Sequence, residues 1–304
     1  MNGPPPQPSG SYEPSYRIFL ETVATLRPRL HRYCARMTGS VLDGEDVAQD
    51  ALFRAYQGLE SFDPSRPLAP WLFRIAHHGC VDFLRRRSVR REAESALAEA
   101  GEELTEGALE LVAPLERAVE HLVLVLPPKE RACVLLKDVL DYSLEEIAEL
   151  VDSTVGGVKA ALNRGRTKLA ALPEDGAMFE PSSAERSTIL ALYVERFNER
   201  DWDGLRELIS ADAQLKVADR YRGKLASSPY FSTYAAWPRP WRLTLGQVEG
   251  QPVVVVHLLG ERGWQPEGVV SLEVVGEQIV SIADYLMCGW VLSHAASLST
   301  GGAA

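Results

Sequence analysis

The clearest pattern of hydrophobic and polar positions lies in residues 141–169, where two short stretches with apolar residues at helical spacing flank a tight turn. Ser143, followed three residues later by Glu146, forms a capping-box pattern at the start of the first helix. Asp152 stands at the turn, where a short polar side chain tolerates left-handed backbone. The positions that the two helices would bury are Ile147, Ala148 and Leu150 in the first, and Val155, Val158, Leu162 and Leu169 in the second. The spacing therefore predicts two helices joined by one tight turn.

The second helix of this pair is basic on its outer side. We expect Thr154 to cap it, because a threonine hydroxyl accepts a hydrogen bond from the first turn. The polar surface carries Lys159, Asn163, Arg164, Arg166 and Lys168. This layout is typical of a helix-turn-helix whose second helix fits a major groove. An ordinary helical hairpin with a solvated basic face is the alternative, and the pattern favours DNA binding over it.

Residues 16–91 carry apolar residues at helical spacing, which predicts an all-helical block. In the stretch LDGEDVAQDALFRAY, Asp43 is a candidate helix cap. The outward face of that helix carries Asp46, Gln49, Asp50 and Arg54. A loop with three prolines, SFDPSRPLAP, then leads into WLFRIAHHGCVDFLRRR, which is aromatic at its start and rich in arginine at its end.

Charge is distributed unevenly along the 304 residues, whose net charge is -10. Five arginines occur in the seven residues 85–91, and residues 92–110 contain seven glutamates without a lysine or arginine. Non-specific affinity for DNA comes from neutralised phosphates, so an acidic chain gains little of it. Basic surfaces separated by an acidic linker predict a protein that reads DNA when a larger partner holds its parts in place.

The remaining composition indicates a globular protein, since no run approaches the ~18 apolar residues of a membrane span. The start, MNGPPPQPSGSYEP, lacks the pattern of a signal peptide and predicts a disordered lead-in. The four cysteines are far apart and form no CxxC pair, so we expect free thiols, no metal site and no cofactor. We expect a cytoplasmic location.

Three motifs in order resemble the extracytoplasmic-function (ECF) sigma factors, which are promoter-recognition subunits of bacterial RNA polymerase. EDVAQDALFRAY resembles their region 2.1–2.2, PWLFRIAHHGCVDFLRRR resembles region 2.3–2.4, and LPPKERACVLLKDVLDYSLEEIAELVDSTVGGVKAALNRGRTKL resembles region 4. The resemblance implies that the chain binds core RNA polymerase and promoter DNA. It also implies that region 2 reads the −10 element and region 4 the −35 element.

The resemblance assigns roles to particular residues. The helical face at 46–54 would dock on the polymerase, although a plain solvated face is the alternative. Trp71 and Phe73 would stack on unpaired bases, although we expect one of the two rings to pack in the core. The residues implied to contact phosphates are Arg85, Arg86, Arg87, Arg166 and Lys168, and those implied to reach base edges are Lys159, Asn163 and Arg164, after the cap Thr154.

The chain departs from its relatives at three positions of region 4. Ala161 and Gly165 stand where relatives often carry larger or more helix-favouring residues, and Gly165 should cost the helix up to ~1 kcal/mol. Asp152 replaces the usual turn glycine.

Residues 184–297 form a different kind of segment, with two amphipathic helices followed by five strand-like runs. This order predicts an α+β domain with a curved sheet around one side of a helix, and it resembles the SnoaL-like branch of the NTF2-like superfamily. Asp284 and His257 are candidates for acid/base catalysis, but we favour the alternative of a hydrogen-bonded rim carboxylate and a strand-end histidine. A possible small-molecule pocket would be lined by Trp241, His257, Trp264, Asp284 and Tyr285.

Together these patterns predict a multi-domain chain with two all-α sigma domains and a C-terminal α+β NTF2-like cone. The expected segments are a disordered start at 1–15, region 2 at 16–91, an acidic linker at 92–114, region 4 at 115–172, a linker at 173–183, the SnoaL-like domain at 184–297 and a disordered tail at 298–304. We interpret the chain as an alternative sigma factor with a regulatory, non-enzymatic third domain. The alternatives are a bifunctional protein with an active cyclase or hydrolase domain, and a free-standing helix-turn-helix regulator.

Overall fold

The structure, a computed structural model, describes residues 12–63, 65–98, 125–171, 184–218, 220–295 and 297–300. The described residues up to 171 belong to one compact unit, and those from 184 onward belong to a second.

The first unit is entirely helical. Its α-helices are α1 (Tyr12–Thr38), α2 (Val41–Gln57), α3 (Leu68–Ala98), α4 (Pro128–Val134), α5 (Leu144–Leu150) and α6 (Val155–Ala170). A π-helical turn, Leu135–Val139, continues α4. The prediction that Asp43 caps α2 is wrong: Ser40 is the cap, and its hydroxyl accepts from the backbone N–H of Asp43.

One continuous hydrophobic core holds all six helices together. The ring of Phe73 on α3 lies 5.7 Å from Tyr33 of α1 and 5.6 Å from Tyr142, which precedes α5. The guanidinium of Arg131 on α4 donates to the carbonyl oxygen of Met37 at the end of α1. The segments that resemble regions 2 and 4 therefore pack as one body.

The predicted helix-turn-helix is present in α5 and α6. Ser143 and Glu146 form the expected capping box, with the hydroxyl of Ser143 accepting from the Glu146 backbone at 3.2 Å. Asp152 has a φ of 45°, as its place at the turn requires. Thr154 caps α6 by accepting from the backbone N–H of Gly157 at 3.0 Å. Local capping and turn chemistry thus fix where both helices begin.

The second unit packs helices against a mixed sheet. Its helices are α7 (Ala184–Glu199), α8 (Trp202–Leu208), α9 (Tyr230–Ala235) and α10 (Gly289–His294). Its strands are β1 (Ile209–Val217), β2 (Tyr221–Lys224), β3 (Trp241–Val248), β4 (Gln251–Gly260), β5 (Gly263–Val275), β6 (Gln278–Asp284) and β7 (Leu298–Thr300). The sheet order is β2-β1-β6-β5-β4-β3-β7; β1 and β6 are parallel and the other pairs are antiparallel.

Aromatic side chains fill the space between the helices and one face of this sheet. The ring of Phe197 on α7 lies 5.0 Å from Tyr234 on α9 and 5.4 Å from both Trp202 and Trp241. The side-chain amide of Asn198 fixes the end of α7 to β3 through two hydrogen bonds with the backbone of Leu243. The interior of the predicted cone is therefore packed with rings.

Three of the expected segment boundaries are corrected by the structure. Helix α1 begins at Tyr12, so residues 12–15 are not part of a disordered start. Helix α3 continues to Ala98, into the expected acidic linker. Residues 298–300 form β7 on the edge of β3, where a Cβ at Gly246 would lie 2.5 Å from the carbonyl oxygen of Ser299. Glycine permits this close approach. The rest of the expected termini and linkers lies outside the described residues.

Candidate nucleic-acid interface

One exposed face of α6 is formed by four residues in its first nine positions. Val158 and Leu162 are buried beneath them. The exposed residues, spaced as one helical face, are Gly156, Lys159, Ala160 and Asn163. In a helix-turn-helix the N-terminal residues of the second helix contact base edges. The geometry therefore gives Lys159 and Asn163 the positions suited to base contacts.

The C-terminal half of α6 is held against its own domain by carboxylates. Glu130 on α4 accepts from Arg164 Nε at 2.8 Å and from Lys168 Nζ at 2.9 Å. The Glu130 side chain is only 8% exposed, and these two donors lower the pKa of its carboxyl group. On the other flank, Arg166 donates to both carboxylate oxygens of Asp138. Three cations expected to contact DNA thus have carboxylate partners within the domain.

Small residues allow α6 to lie this close to α4. A Cβ built at Gly165 would lie 3.0 Å from Val134 Cγ2 and 3.6 Å from the Cβ of Glu130. Ala161, one turn earlier, is fully buried. The glycine and alanine noted as departures therefore serve close packing, which offsets their poorer fit to the pattern of the relatives.

The two aromatic residues at the start of α3 have different environments. Phe73 is fully buried between Tyr33 and Tyr142, so its assignment to DNA is wrong. Trp71 is half-buried, with its ring 4.8 Å from that of Phe62. Only Trp71 of this pair has a ring face that a base can reach. Core packing of one ring was the expected alternative, and the structure identifies that ring as Phe73.

The arginines at the end of α3 also differ in how firmly they are held. Arg87 donates to the carbonyl oxygen of Thr38 at 3.3 Å, which ties it to the end of α1. Arg85 and Arg86 are exposed, and Arg85 lies 3.6 Å from Asp82 on its own helix. Exposed ion pairs of this kind are weak, so both side chains are available to phosphates.

The outer face of α2 differs from its prediction. Gln49 is buried and donates to Glu45 Oε1 at 2.9 Å, and Glu45 also forms a buried ion pair with Arg27. Gln49 is therefore a structural residue, and its assignment to the docking face is wrong. Asp46 and Asp50 are half-buried and Arg54 is exposed.

Sequence reasoning missed two aromatic residues on this face. Phe53 is 61% exposed and Tyr56 is 50% exposed. Their positions among the polar residues of an amphipathic helix are the signal that would have identified them. Exposed aromatic residues beside charged ones are common in protein interfaces.

In the second unit, Asp284 lies at the end of β6, beneath α9. Its Oδ2 accepts from the hydroxyls of Tyr230 at 3.0 Å and Tyr234 at 2.7 Å, and its Oδ1 accepts from the backbone N–H of Leu286 at 2.8 Å. The residue is 2% exposed. Burial raises the pKa of its carboxyl group, and the three hydrogen bonds offset part of that rise.

The five residues expected to line one pocket do not come together. Trp241 and Leu258 are paired on the face that packs against the helices, so His257, the next residue along β4, lies on the opposite face. There His257 contacts Thr244 Oγ1 at 2.9 Å, and burial lowers the pKa of its imidazole. Asp284 belongs to the helix-facing side, through its register with Val270.

The other two pocket candidates have separate surroundings. The ring of Trp264 stacks with the guanidinium of Arg242 at 4.8 Å, and Arg242 is paired with His257 across β3 and β4. Tyr285 is buried just after β6. The prediction of a pocket shared by all five residues is therefore wrong.

A different cavity of about 440 Å³ lies between α8, the start of β1 and α9. Its lining combines apolar residues with serine hydroxyls and one arginine: Ile209, Leu225, Phe231, Ser210, Ser228 and Arg206. This is the size range of small-ligand sites.

Comparisons with known proteins agree with the helical unit. Residues 22–90 match the family model for sigma-70 region 2, and residues 116–169 match that for sigma-70 region 4. The chain is 31% identical over 293 residues to the ECF RNA polymerase sigma factor SigG of Mycobacterium tuberculosis, covering 86% of this chain and 79% of SigG. It is 34% identical over 161 residues to the ECF RNA polymerase sigma factor SigW of Bacillus subtilis, covering 50% of this chain and 86% of SigW.

Among solved structures, the ECF sigma factor SigJ of Mycobacterium tuberculosis aligns with 87% of this chain and 95% of its own, at 15% identity and a TM-score of 0.36. The matched regions define a sigma-70 class factor. Within that class, the chain belongs to the ECF RNA polymerase sigma factors, which direct promoter-specific transcription. None of the helices described for this chain is long and apolar enough to span a membrane.

We predict that Tyr234→Phe destabilises the second unit by about 1–3 kcal/mol at neutral pH, because the buried carboxylate of Asp284 loses a donor. The hydroxyl of Tyr234 stabilises the ionised carboxylate more than the protonated one. The loss of stability in Tyr234→Phe should therefore become smaller as the pH falls through the raised pKa of Asp284. Urea unfolding followed by tryptophan fluorescence measures this, since five of the six tryptophans lie in the second unit. Tyr221→Phe, which removes an exposed hydroxyl bonded to Lys224, is the control. A loss of stability that stays the same as the pH is lowered would contradict the assignment.

Proposed function

We propose that this sigma factor places the N-terminal half of α6 in the major groove of the −35 element and the start of α3 at the −10 element. The observation that carries the −35 assignment is the exposed face of α6. Lys159 and Asn163 project from it, while Arg164 and Lys168 are held by Glu130. Lysine suits the acceptors of guanine, and asparagine suits the edge of adenine.

The other basic residues of α6 flank this exposed face and are placed to contact phosphates. Arg166 and Lys168 are about half exposed, so each can approach phosphates while keeping its carboxylate partner. We assign Arg164 to the same supporting role, because its guanidinium is bound to Glu130. At the −10 element, the half-buried ring of Trp71 is the surface for stacking on an unpaired base, and Arg85 and Arg86 lie about four turns further along the same helix.

We infer that core RNA polymerase, which acts in the cytoplasm, docks on the outer face of α2. The supporting observation is a mixed surface of exposed aromatic and charged side chains on one helix. Phe53 and Tyr56 supply the apolar contacts, and Arg54 with the half-buried Asp50 supplies the charged ones. Aromatic residues of this kind often dominate binding energy.

We also propose that the second unit regulates the first by binding, not by catalysis. Its resemblance to SnoaL-like domains allows either role. The sealed position of Asp284 supports a structural role for the carboxylate, since general acid/base work requires contact with a substrate. The cavity beside Phe231 is the site we assign to a small-molecule regulator, which acts only if it binds two arrangements of the chain unequally.

We predict that Lys159→Ala and Asn163→Ala each lower the discrimination between a matched and a scrambled −35 element by about 1–3 kcal/mol. Arg166→Ala should weaken binding equally on both templates, because a phosphate contact carries no sequence information. Footprinting of the polymerase holoenzyme on the two templates, at one fixed salt concentration, measures the difference. An equal loss on both templates for Lys159→Ala would remove it from the base-reading face.

We predict that Phe53→Ser weakens binding to core polymerase at least tenfold and leaves the stability of the free chain within about 0.5 kcal/mol, because the ring is exposed. Gln49→Ala should lower the stability of the free chain and leave polymerase affinity unchanged, because the amide of Gln49 donates a hydrogen bond to the buried Glu45. Titration of labelled core enzyme and urea unfolding separate the two effects. Unchanged polymerase affinity in Phe53→Ser would move the docking face elsewhere.

We predict that truncation after Leu172 changes run-off transcription by core polymerase several-fold, because the regulatory unit is lost while the first unit keeps its own core. Asp284→Asn and His257→Ala should leave basal transcription near that of the full chain. The alternative of an active enzyme predicts the opposite: a truncation without effect, and a measurable turnover that Asp284→Asn abolishes.

A further inference from the structure

One acidic residue connects the helix-turn-helix to helix α3. Asp152, in the turn between α5 and α6, accepts from Arg74 Nη2 at 2.7 Å through Oδ1, and its Oδ2 lies 2.8 Å from His78 Nε2. Arg74 and His78 are four residues apart, so they project from one side of α3. The contact with His78 is the main cause of the lowered pKa of the Asp152 carboxyl group. The turn of the DNA-reading motif is thus bonded through both carboxylate oxygens.

This contact coincides with unfavourable backbone geometry. Asp152 has a φ of 45°, a conformation that costs an aspartate more than a glycine. Glycine would make the turn without that cost, and it would make no side-chain contact. Local turn chemistry alone therefore does not explain an aspartate here, whereas its two contacts with α3 do.

The contact closes a gap between two surfaces that are proposed to bind DNA. A cavity of about 560 Å³ is lined on one side by Trp71 and Phe62, and on the other by Glu146, Glu149 and Leu150 of α5. The ring proposed to stack on a base therefore faces two carboxylates, which repel phosphates. In this arrangement the acidic side of the helix-turn-helix lies across the cavity from the proposed −10 surface.

The distance between the two promoter elements requires this arrangement to open. Elements named for positions −10 and −35 are roughly 25 base pairs apart, on the order of 80 Å at ~3.4 Å per base pair. The side chains of Arg74 and Asp152 are in direct contact. One rigid body cannot place α3 and α6 on both elements, so the α3 contact must break when the promoter is bound.

We propose that Asp152, Arg74 and His78 form an autoinhibitory clasp that keeps the free sigma factor closed until core polymerase separates α3 from the helix-turn-helix. The clasp rests on the proposed roles of α3 and α6. All three side chains are about half exposed, so water and salt reach them and both contacts of Asp152 are weak. These weak contacts add to the apolar contact between Phe73 and Tyr142 and so determine the fraction of free molecules that is closed. Because they are weak, they still break when the sigma factor assembles with core polymerase.

Asp152→Gly tests the clasp, because it removes the contacts and relieves the backbone at once. Asp152→Asn keeps a residue that tolerates positive φ and removes only the charge. Both variants of the full-length chain should show faster amide hydrogen exchange around Phe73 and Tyr142, and association with core polymerase that is roughly two- to tenfold faster. The thermal midpoint of Asp152→Gly should not fall, which separates opening from unfolding. Added salt should speed association of the wild type more than that of either variant.

Asp138→Asn is the matched control, because it breaks an exposed ion pair between α6 and the π-helical turn after α4, away from α3. It should leave exchange at Phe73 and Tyr142 unchanged. The clasp is overturned if Asp152→Gly matches the wild type in exchange and association, or if it matches the control in both. A wild-type chain that does not assemble with core polymerase at all would instead overturn the proposed function, so the two failures are distinguishable.

Discussion

The burial of Phe73 is the constraint on which the helical unit depends. This ring packs between Tyr33 and Tyr142, which lie on segments resembling different sigma regions, and it is fully buried there. Full burial of a phenylalanine stabilises a fold by about 1.5–3 kcal/mol, and edge contacts between rings add to this. Because the ring contacts both segments, one shared core fixes their positions relative to each other. If the unit opens on promoter binding, as proposed above, this apolar surface becomes exposed, and a partner with a large surface has to compensate for the loss.

The second theme is the neutralisation of basic residues by nearby carboxylates. Glu130 holds Arg164 and Lys168, Asp138 holds Arg166, and Asp152 holds Arg74. Each pair reduces the number of cations that can displace counterions from DNA, and affinity depends steeply on that number. The local pairs thus extend the argument made from the net charge of -10. These pairs predict a low affinity of the free chain for DNA, which would leave promoter choice to the holoenzyme.

Local features of the fold were predictable because their causes are local. The capping box at Ser143, the positive φ of Asp152 and the strand Trp241–Val248 depend on neighbouring residues, and the structure contains all three. The faces of β4 were not predictable, because His257 in the run PVVVVHLL is flanked on both sides by apolar residues and the run lacks the alternation that marks a face. His257 was therefore placed beside Asp284 when it lies on the opposite side of the sheet.

The environment of Asp284 shows what spacing along a chain does not reveal. The carboxylate depends on two tyrosines from a short helix that lies 50 and 54 residues earlier in the sequence. Those tyrosines also belong to the ring cluster around Phe197, so the carboxylate, the helix and the aromatic interior are stabilised together. A group held in this way is costly to move. The cavity beside Phe231 borders the same helix from outside, so a ligand there would act on the cluster through α9 and change stability or docking without any chemical step.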